Sequence, residues 1–548
     1  MEPDDNMQFN RRELISALSA GGVLALAGCA GQSGGEGNDE IFVDALDSDP
    51  GTLDLHETNR VPESMCLTPV HERLFTIDPD LEPQPWLATE YETNEDETEY
   101  VIQLEEGVEF HDGTEFNADV AKWNLERAEE NSPDAWQFGT LEEIDATGDY
   151  ELTFQFEEPH PLFPQYLANV QMGFASREAV EAAGDDYGQE EVVGTGPLVF
   201  EEWVRDDEIV YSRNEDYDRG PDFLSNDGPI NFEEYHVRIV PEPTTLLNEV
   251  TVGNVDGSMM IAASDAEDVD AHDNTQLERV DDAHPTFLAI NVESEPTDEV
   301  EVRQAMAYAV DQEAVVNAAF HGEGYPIYSL CPPMAVGGLD EAAAREAGYE
   351  QDLDAARELL DDAGWENDDE GEVRTRNGDE LSVSFFAFEM EPYSSIGEVI
   401  QDMLSQVGFE ANLEILESGT LYDRLEGGEH NLVTMALSGG YIANNTLAST
   451  LHSQNYAPDG GSNYSLYQSD EYDEIIDQAE VEPDDAEREA LLHEAQEHVL
   501  EEVPVVPLVG FVKFYAAKNE INADAWTDHP WWPSPDHYNL HAVDVDRS

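Results

Sequence analysis

The sequence predicts an α/β fold divided into two or three lobes. Two observations carry that expectation. A chain of 548 residues exceeds what one hydrophobic core supports, and 40% hydrophobic residues suffice to build several. The apolar period also switches between two and 3.6. A strand Leu381–Phe388 leads into a helix Ser394–Val407 closed by Gly408, and a strand Ala411–Leu416 follows, which is the order of an α/β unit.

The other elements follow in chain order. Ile41–Leu46 and Tyr100–Leu104 read as strands, separated by an acidic turn at Asn94–Glu99. Asp112-Gly113 is a turn signal, and Asn117 caps a helix reaching Arg127. Leu152, Phe154 and Phe156 alternate in a half-buried strand over Tyr150–Glu157. Gly194-Thr195-Gly196-Pro197 makes a tight turn into Leu198–Trp203, with further strands at Ile209–Arg213 and Val237–Val240. A helix over Pro243–Val252 ends at Gly253. Phe287–Val292 is a continuous apolar strand. Asp298 then caps a helix, with Glu301 at capping-box spacing and an apolar face of Val302, Met306, Ala309 and Val310. Leu353–Ala363, Glu471–Ala479 and Asp484–Glu502 are amphipathic helices. Val503–Tyr515 returns as a strand interrupted by Pro504 and Pro507.

The amino-terminal stretch is of a different kind. Arg11-Arg12 precedes an apolar run that ends in Leu26-Ala27-Gly28-Cys29, the order of a twin-arginine export signal with a lipoprotein processing site. The run is too short and too rich in Gly, Ser and Ala for a comfortable membrane span. Cleavage before Cys29, a lipid on that cysteine and an extracytoplasmic location are expected. A Gly/Ser/Glu tether runs to about residue 40.

Charge is the other extreme feature. There are 22 basic and 125 acidic residues, for a net charge of −103. Only Lys122, Lys513 and Lys518 are lysines. Such a chain repels itself at low ionic strength and is relieved by molar salt, which points to an extreme halophile. Nucleic acid and anionic membrane surfaces are excluded as partners, because no basic patch exists. Aromatic content of 9% and regular apolar periods exclude an acidic disordered chain. Beyond Cys29, Cys66 and Cys331 either pair or stand as free, half-buried thiols, and the free state is expected.

Catalytic and metal motifs are missing. His493 and His498 are five residues apart, so the imidazoles diverge by about 140° around a helix, and they read as a solvated face rather than a zinc site. His529, His537 and His541 lie near Trp531-Trp532 without a regular ligand spacing and read as surface histidines. Gly194–Pro197 lacks the Gly-Lys-Ser/Thr ending of a phosphate loop. No cofactor, metal or catalytic step is implied.

Several blocks carry a family resemblance. In order they are Asp49–Asp54, Val70–Leu74, Pro85–Ala88, Phe110–Val120, Gly194–Pro197, Arg213–Tyr217 and Val302–Asp311. Together they resemble the extracellular solute-binding proteins of peptide-type (family 5) ABC importers, here in a haloarchaeal lipoprotein form. The resemblance implies a two-lobed periplasmic-binding-protein-like fold with an additional subdomain in the first lobe. Residues 1–28 are then the signal, 29–40 the tether, 41–283 lobe one with the subdomain at roughly 76–190, 284–503 lobe two, and 504–548 a return to lobe one. The Phe287 strand and Val505–Val512 become the hinge crossings.

The implied ligand is an oligopeptide or similar small polar solute, and the implied partners are ABC permease and ATPase subunits. The resemblance places ligand contacts in Val61–Met65, with Glu63 and Met65, at Asn291, and in a loop with Gly439, Gly440, Tyr441 and Asn444. That loop, Ser438–Asn445, lacks the aspartate that meets a peptide ammonium in the family. A sugar, a metal or a metallophore remains open as the ligand, as does a secreted hydrolase with a cryptic site.

Overall fold

The computed structural model describes residues 41–221, 223–224, 226, 228–367, 372–436, 440–522, 540–541 and 543. The fold is α/β and two-lobed, and one eleven-stranded sheet runs through both lobes. Two long antiparallel strands, Thr275–Ile290 and Val505–Lys518, form its middle. On one side stand Leu432–Ala436, Ser382–Phe388 and Glu410–Leu416. On the other stand Gly257–Ser258, Ile41–Leu46, Glu234–Ile239, Glu208–Arg213 and Leu198–Val204, and the eleventh strand, Tyr325–Pro326, pairs with Val505–Lys518 at Gly510 and Val509.

The central pairing breaks register between Asp281 and Pro285, and again between Thr286 and Phe287. Asp282, Ala283 and His284 therefore sit in an irregularity of the ladder where the chain passes from one side of the sheet to the other. The expected proline interruption is absent. Val505–Lys518 is one strand, because Pro507 lies opposite Phe287 at the second register shift, where a missing N–H is tolerated.

Alternation along the second lobe's strands buries both faces. Leu288 and Ile290 join Phe385 and Leu432 in one core, while Phe287 and Ala289 join Phe386 and Val433 in another. This is why those segments read as continuous apolar runs. The helix Tyr393–Ser405 connects the parallel strands Ser382–Phe388 and Glu410–Leu416, with Gly408 at φ +98° closing the turn. In the first lobe a separate antiparallel sheet is built from Ala88–Thr93, Glu99–Leu104, Glu151–Phe156 and Leu141–Gly148.

Asn117 caps Ala118–Asn131 through a bond from the Val120 N–H at 3.1 Å. Asp298 does not cap the next predicted helix. That helix is Val300–Ala309, so Asp298 lies one residue too early and Glu299 takes the cap position. The Glu299 carboxylate is held by Arg376 instead, at 2.7 Å. Buried Arg303 secures the entry by donating to the carbonyls of Thr297, Asp298 and Glu502.

Three further expectations are corrected. Cys66 and Cys331 are free but fully buried, not half-buried, each in an apolar core that pushes the thiol pKa up. His498 is not on a solvated face. Its Nε2 lies 2.7 Å from Tyr467 Oη, and its ring packs against Tyr467 and Tyr472. His541 is buried at 1% exposure against Tyr217, and its neighbours Leu540 and Val543 pack into the first-lobe core. His529 and His537 fall outside the described residues. Among the described residues no cluster of three metal donors forms and no helix is long and apolar enough to cross a membrane.

Candidate ligand-binding cavity

A cavity of about 990 Å³ lies between the short helix Val61–Leu67, the Asp134–Gln171 region, the strand crossing at His284, and the segment Gly440–Asn455. Its volume is at the upper end for small-molecule sites. The lining is dominated by side-chain amides and aromatic rings.

The helix Val61–Leu67 carries Pro62 in its first turn, where the missing N–H costs nothing. Its turn of 3.6 residues divides the segment. Val61, Pro62, Ser64 and Thr68 face the cavity, whereas Glu63 and Met65 do not line it. Glu63 is buried, and its Oε1 accepts from the Gly51 N–H at 2.7 Å and from Arg60 at 3.0 Å. Met65 packs into the first-lobe core. The segment borders the cavity, but these two side chains point away from it.

Gly440, Tyr441 and Asn444 line the cavity. Gly440 has φ +72°, which lets the chain turn there. The next residues are pinned to Val336, whose N–H donates to Tyr441 O at 2.7 Å and whose carbonyl accepts from Ala443 N at 2.9 Å. Burial pushes the Tyr441 phenol up, so it stays protonated. Asn444 is 3% exposed, and its Oδ1 has no hydrogen-bond partner among the described residues. Gly439 falls outside the described residues. Asn291 does not line the cavity. It fixes a turn, donating to His430 O at 2.8 Å and accepting from Glu293 N at 2.9 Å.

The facing wall was not singled out from sequence. Trp136 is 55% exposed and edge-on to Tyr166, with ring centroids 5.5 Å apart. Tyr166 reaches across the cavity and donates to Asn445 Oδ1 at 2.8 Å. His160 bonds Gln137 O at 2.9 Å, and burial lowers its pKa, so the ring is neutral. Asn169 donates to Gln137 Oε1 at 2.8 Å, and Gln171 donates to Thr58 O at 3.1 Å. The one sequence signal available was a tryptophan two residues after the turn-forming Ser132-Pro133-Asp134.

His284 closes the cavity at the strand crossing. Its Nδ1 lies 2.6 Å from Asp282 Oδ2, and Lys513 Nζ lies 3.0 Å from the same oxygen. Burial alone would raise the Asp282 pKa, but Lys513 and His284 outweigh it and hold the carboxylate below its ordinary value. Burial lowers the Lys513 pKa against the pull of Asp282.

Amides, rings and a few charges make a site that binds and encloses. No nucleophile with an adjacent base converges among the lining residues. A glutathione-binding protein, GsiB, of Shigella dysenteriae is 25% identical over 477 residues, covering 85% of this chain and 88% of the relative. The solved structure of NikA from Brucella suis in complex with Fe(III)-EDTA superposes with a TM-score of 0.79 at 22% identity, covering 92% of this chain and 99% of that one. The periplasmic binding protein DppA from Helicobacter pylori, in complex with the peptide STSA, gives 0.71 at 21% identity, covering 93% and 99%. The family model for bacterial extracellular solute-binding proteins, family 5 Middle, matches residues 82–458, and the chain belongs to that family of ABC-importer receptors.

Proposed function

We propose that this chain captures an oligopeptide or similar small polar solute between its lobes and hands it to ABC permease and ATPase subunits. The observation that supports this most directly is Asn444, a buried amide on the cavity wall whose Oδ1 lacks a partner. Unsatisfied buried acceptors are costly, and a ligand N–H removes that cost. The cavity volume suits a short peptide better than a single ion. The relative that binds glutathione and the fold neighbour holding a peptide agree with the reading.

In this reading residues 41–283 and 284–503 move as lobes about the crossing at Asp281–Pro285, and ligand selects the closed form. Cys29 holds the receptor to the extracytoplasmic face of the membrane through a lipid, and the chain works in molar salt. No chemical step is part of the cycle. Native mass spectrometry of protein purified in high salt tests the reading. A bound organic solute of peptide size is expected, and a bare metal ion or a turned-over substrate would replace it with the metal or hydrolase alternative. Cys29→Ala is expected to release the protein into the medium, and retention on cells after that change would remove the anchor.

A further inference from the structure

We propose that Leu81 and Glu97, at the tips of two neighbouring hairpins in the first lobe, form a latch that grips the second lobe away from the solute cavity and holds the two lobes closed. The proposal rests on the two-lobed fold and not on the identity of the solute.

Both tips carry left-handed backbone at a residue other than glycine. Leu81 has φ +65° and Glu97 has φ +50°, values that crowd the Cβ of a leucine or a glutamate. Asp78 builds the first tip. Its Oδ1 accepts from Asp80 N at 2.9 Å and Glu82 N at 3.0 Å, its Oδ2 from Gln84 Nε2 at 2.7 Å, and its carbonyl from Leu81 N at 2.9 Å. Asn94 builds the second. Its side chain accepts from Thr98 N at 2.9 Å, and its carbonyl accepts from Glu97 N at 3.2 Å. Strain of this kind persists where the surroundings over-determine it, and it gathers at clamps and switches.

What each tip gains lies in the other lobe. Pro79, Asp80 and Glu82 are exposed, whereas Leu81 is 9% exposed. With Ile77, Leu162 and Tyr166, Leu81 belongs to the buried cluster that holds Tyr441, Ile442, Tyr472 and Leu492 of the second lobe. Phe75, two residues before Ile77, packs in the first-lobe core. The strand Phe75–Ile77 therefore delivers its end, and the tip beyond it, to the opposite lobe. Glu97 meets the helix Asp485–Glu502. Its Oε2 is buried without a hydrogen-bond partner among the described residues. Burial pushes the Glu97 carboxyl up, Arg488 draws it down, and Asp485 opposes Arg488. Arg488 is itself fixed on the second lobe, donating to Glu482 O at 2.9 Å and to Asp485. None of Leu81, Glu97 and Arg488 lines the cavity.

Other charges at the seam work against closure. Glu82 and Glu97 of the first lobe and Asp485 of the second act together on Tyr91. Glu158 of the first lobe adds to the field on Glu480 of the second, which His452 opposes. Carboxylates carried by opposite lobes repel, and molar salt screens that repulsion. The buried leucine needs no such screening, because its attraction is hydrophobic. Leu81 thus supplies the grip, and Glu97 with Arg488 aligns it. Acting off the cavity, the pair sets how long the lobes stay together whatever the solute is.

The test is native-state hydrogen exchange of the full chain in molar KCl, read at Tyr166 and Leu492, one on each side of the seam, with Ile102 of the first-lobe sheet as reference. Exchange at a seam amide follows the population of the opened form. Leu81→Asn keeps a residue that tolerates left-handed backbone and removes the apolar tip. It is expected to speed exchange at both seam positions about tenfold or more and to leave Ile102 unchanged. Glu97→Gln is expected to speed it about threefold. Leu81→Met, which keeps the apolar volume, is expected to match the wild type. Circular dichroism checks folding, and Glu97→Gln reads the same seam should Leu81→Asn fail to fold. Unchanged seam exchange in Leu81→Asn and Glu97→Gln, acceleration that reaches Ile102 equally, or equal acceleration by Leu81→Met and Leu81→Asn overturns the proposal. No solute enters the measurement, so a failed latch leaves the receptor reading standing, and a failed receptor reading leaves the latch standing.

Discussion

Tyr166 and Asn445 are 279 positions apart in sequence, yet the Tyr166 hydroxyl donates to Asn445 Oδ1 at 2.8 Å across the ligand cavity. A bond between the walls exists only when the walls are together. Its removal is therefore expected to act on closure rather than on folding. Tyr166→Phe should weaken ligand binding by ~0.5–1.5 kcal/mol, about two- to tenfold, through faster dissociation. Asn445→Ala should do the same, and the double variant should add little, because both changes delete one interaction. Stopped-flow fluorescence with the native ligand checks this; additive losses would place the two residues in separate interactions.

Asp44 sets a pH dependence of stability. It is buried at 2% exposure and accepts from Tyr515 Oη at 2.9 Å and Tyr235 Oη at 3.2 Å. Burial outweighs those donors and, with Asp256 nearby, pushes its pKa up to about 7 from 3.8. A carboxyl whose folded pKa exceeds its unfolded value contributes stability that is complete below the unfolded pKa and is lost as pH rises through the folded one. The Asp44 contribution should fall by up to ~1.4 kcal/mol per pH unit between those limits and level off above about pH 7. Urea unfolding of the wild type and of Asp44→Asn, both in molar KCl, isolates this slope by difference. A difference independent of pH over that window would show that Asp44 is ionised in the folded protein.

The elements with a strict period were legible, and those shaped by tertiary context were not. Glu99–Leu104 alternates buried and half-buried residues, so its sequence carries the pattern of a one-sided strand. Gly194 in the turn before Leu198 was legible as a turn signal. Its deeper reason is that a Cβ there would meet Val70 O at 2.0 Å. Ala88–Thr93 and Leu141–Gly148 escaped notice because they are edge strands with mostly exposed, acid-rich faces and no apolar alternation. Ala443–Leu451 is mostly Asn, Thr, Ser and Ala and buries Asn444, Thr446 and Thr450, which propensity does not favour.

In the site, the Val61–Met65 segment was legible and its orientation was not. A charged Glu63 suggests a group facing ligand, but the fold uses it to bind Gly51. Asp134 and Glu480 were invisible among 125 acidic residues, since only the fold selects the two that reach the cavity among the described residues.

Salt dependence follows from the charge. All three lysines are already engaged with carboxylates: Lys122 with Asp145, Lys513 with Asp282 and Lys518 with Asp256. The remaining acid excess, within a net charge of −103, is left to solvent and counter-ions. At 1 M salt the screening length is about 3 Å, and it grows to about 10 Å at 0.1 M. Dilution from molar KCl is expected to unfold the chain in a cooperative loss of ellipticity. Retention of full structure in dilute buffer would show that the apolar cores alone outweigh the repulsion.

The cluster at the strand crossing separates stability from binding. Asp282 is 3% exposed and receives both Lys513 at 3.0 Å and His284 at 2.6 Å, inside the register break that joins the two sides of the sheet. Asp282→Asn removes the carboxylate facing the buried ammonium, a change that costs ~3–5 kcal/mol when one partner of a buried pair is lost. His284→Gln keeps the Asp282–Lys513 pair and alters only the member that lines the cavity. The first variant is expected to lower the melting temperature sharply. The second is expected to leave it nearly unchanged while shifting ligand affinity. Differential scanning calorimetry with and without ligand reads both effects. A large stability loss in His284→Gln, or none in Asp282→Asn, would mean that the crossing is held by its backbone ladder and the ion cluster is incidental to it.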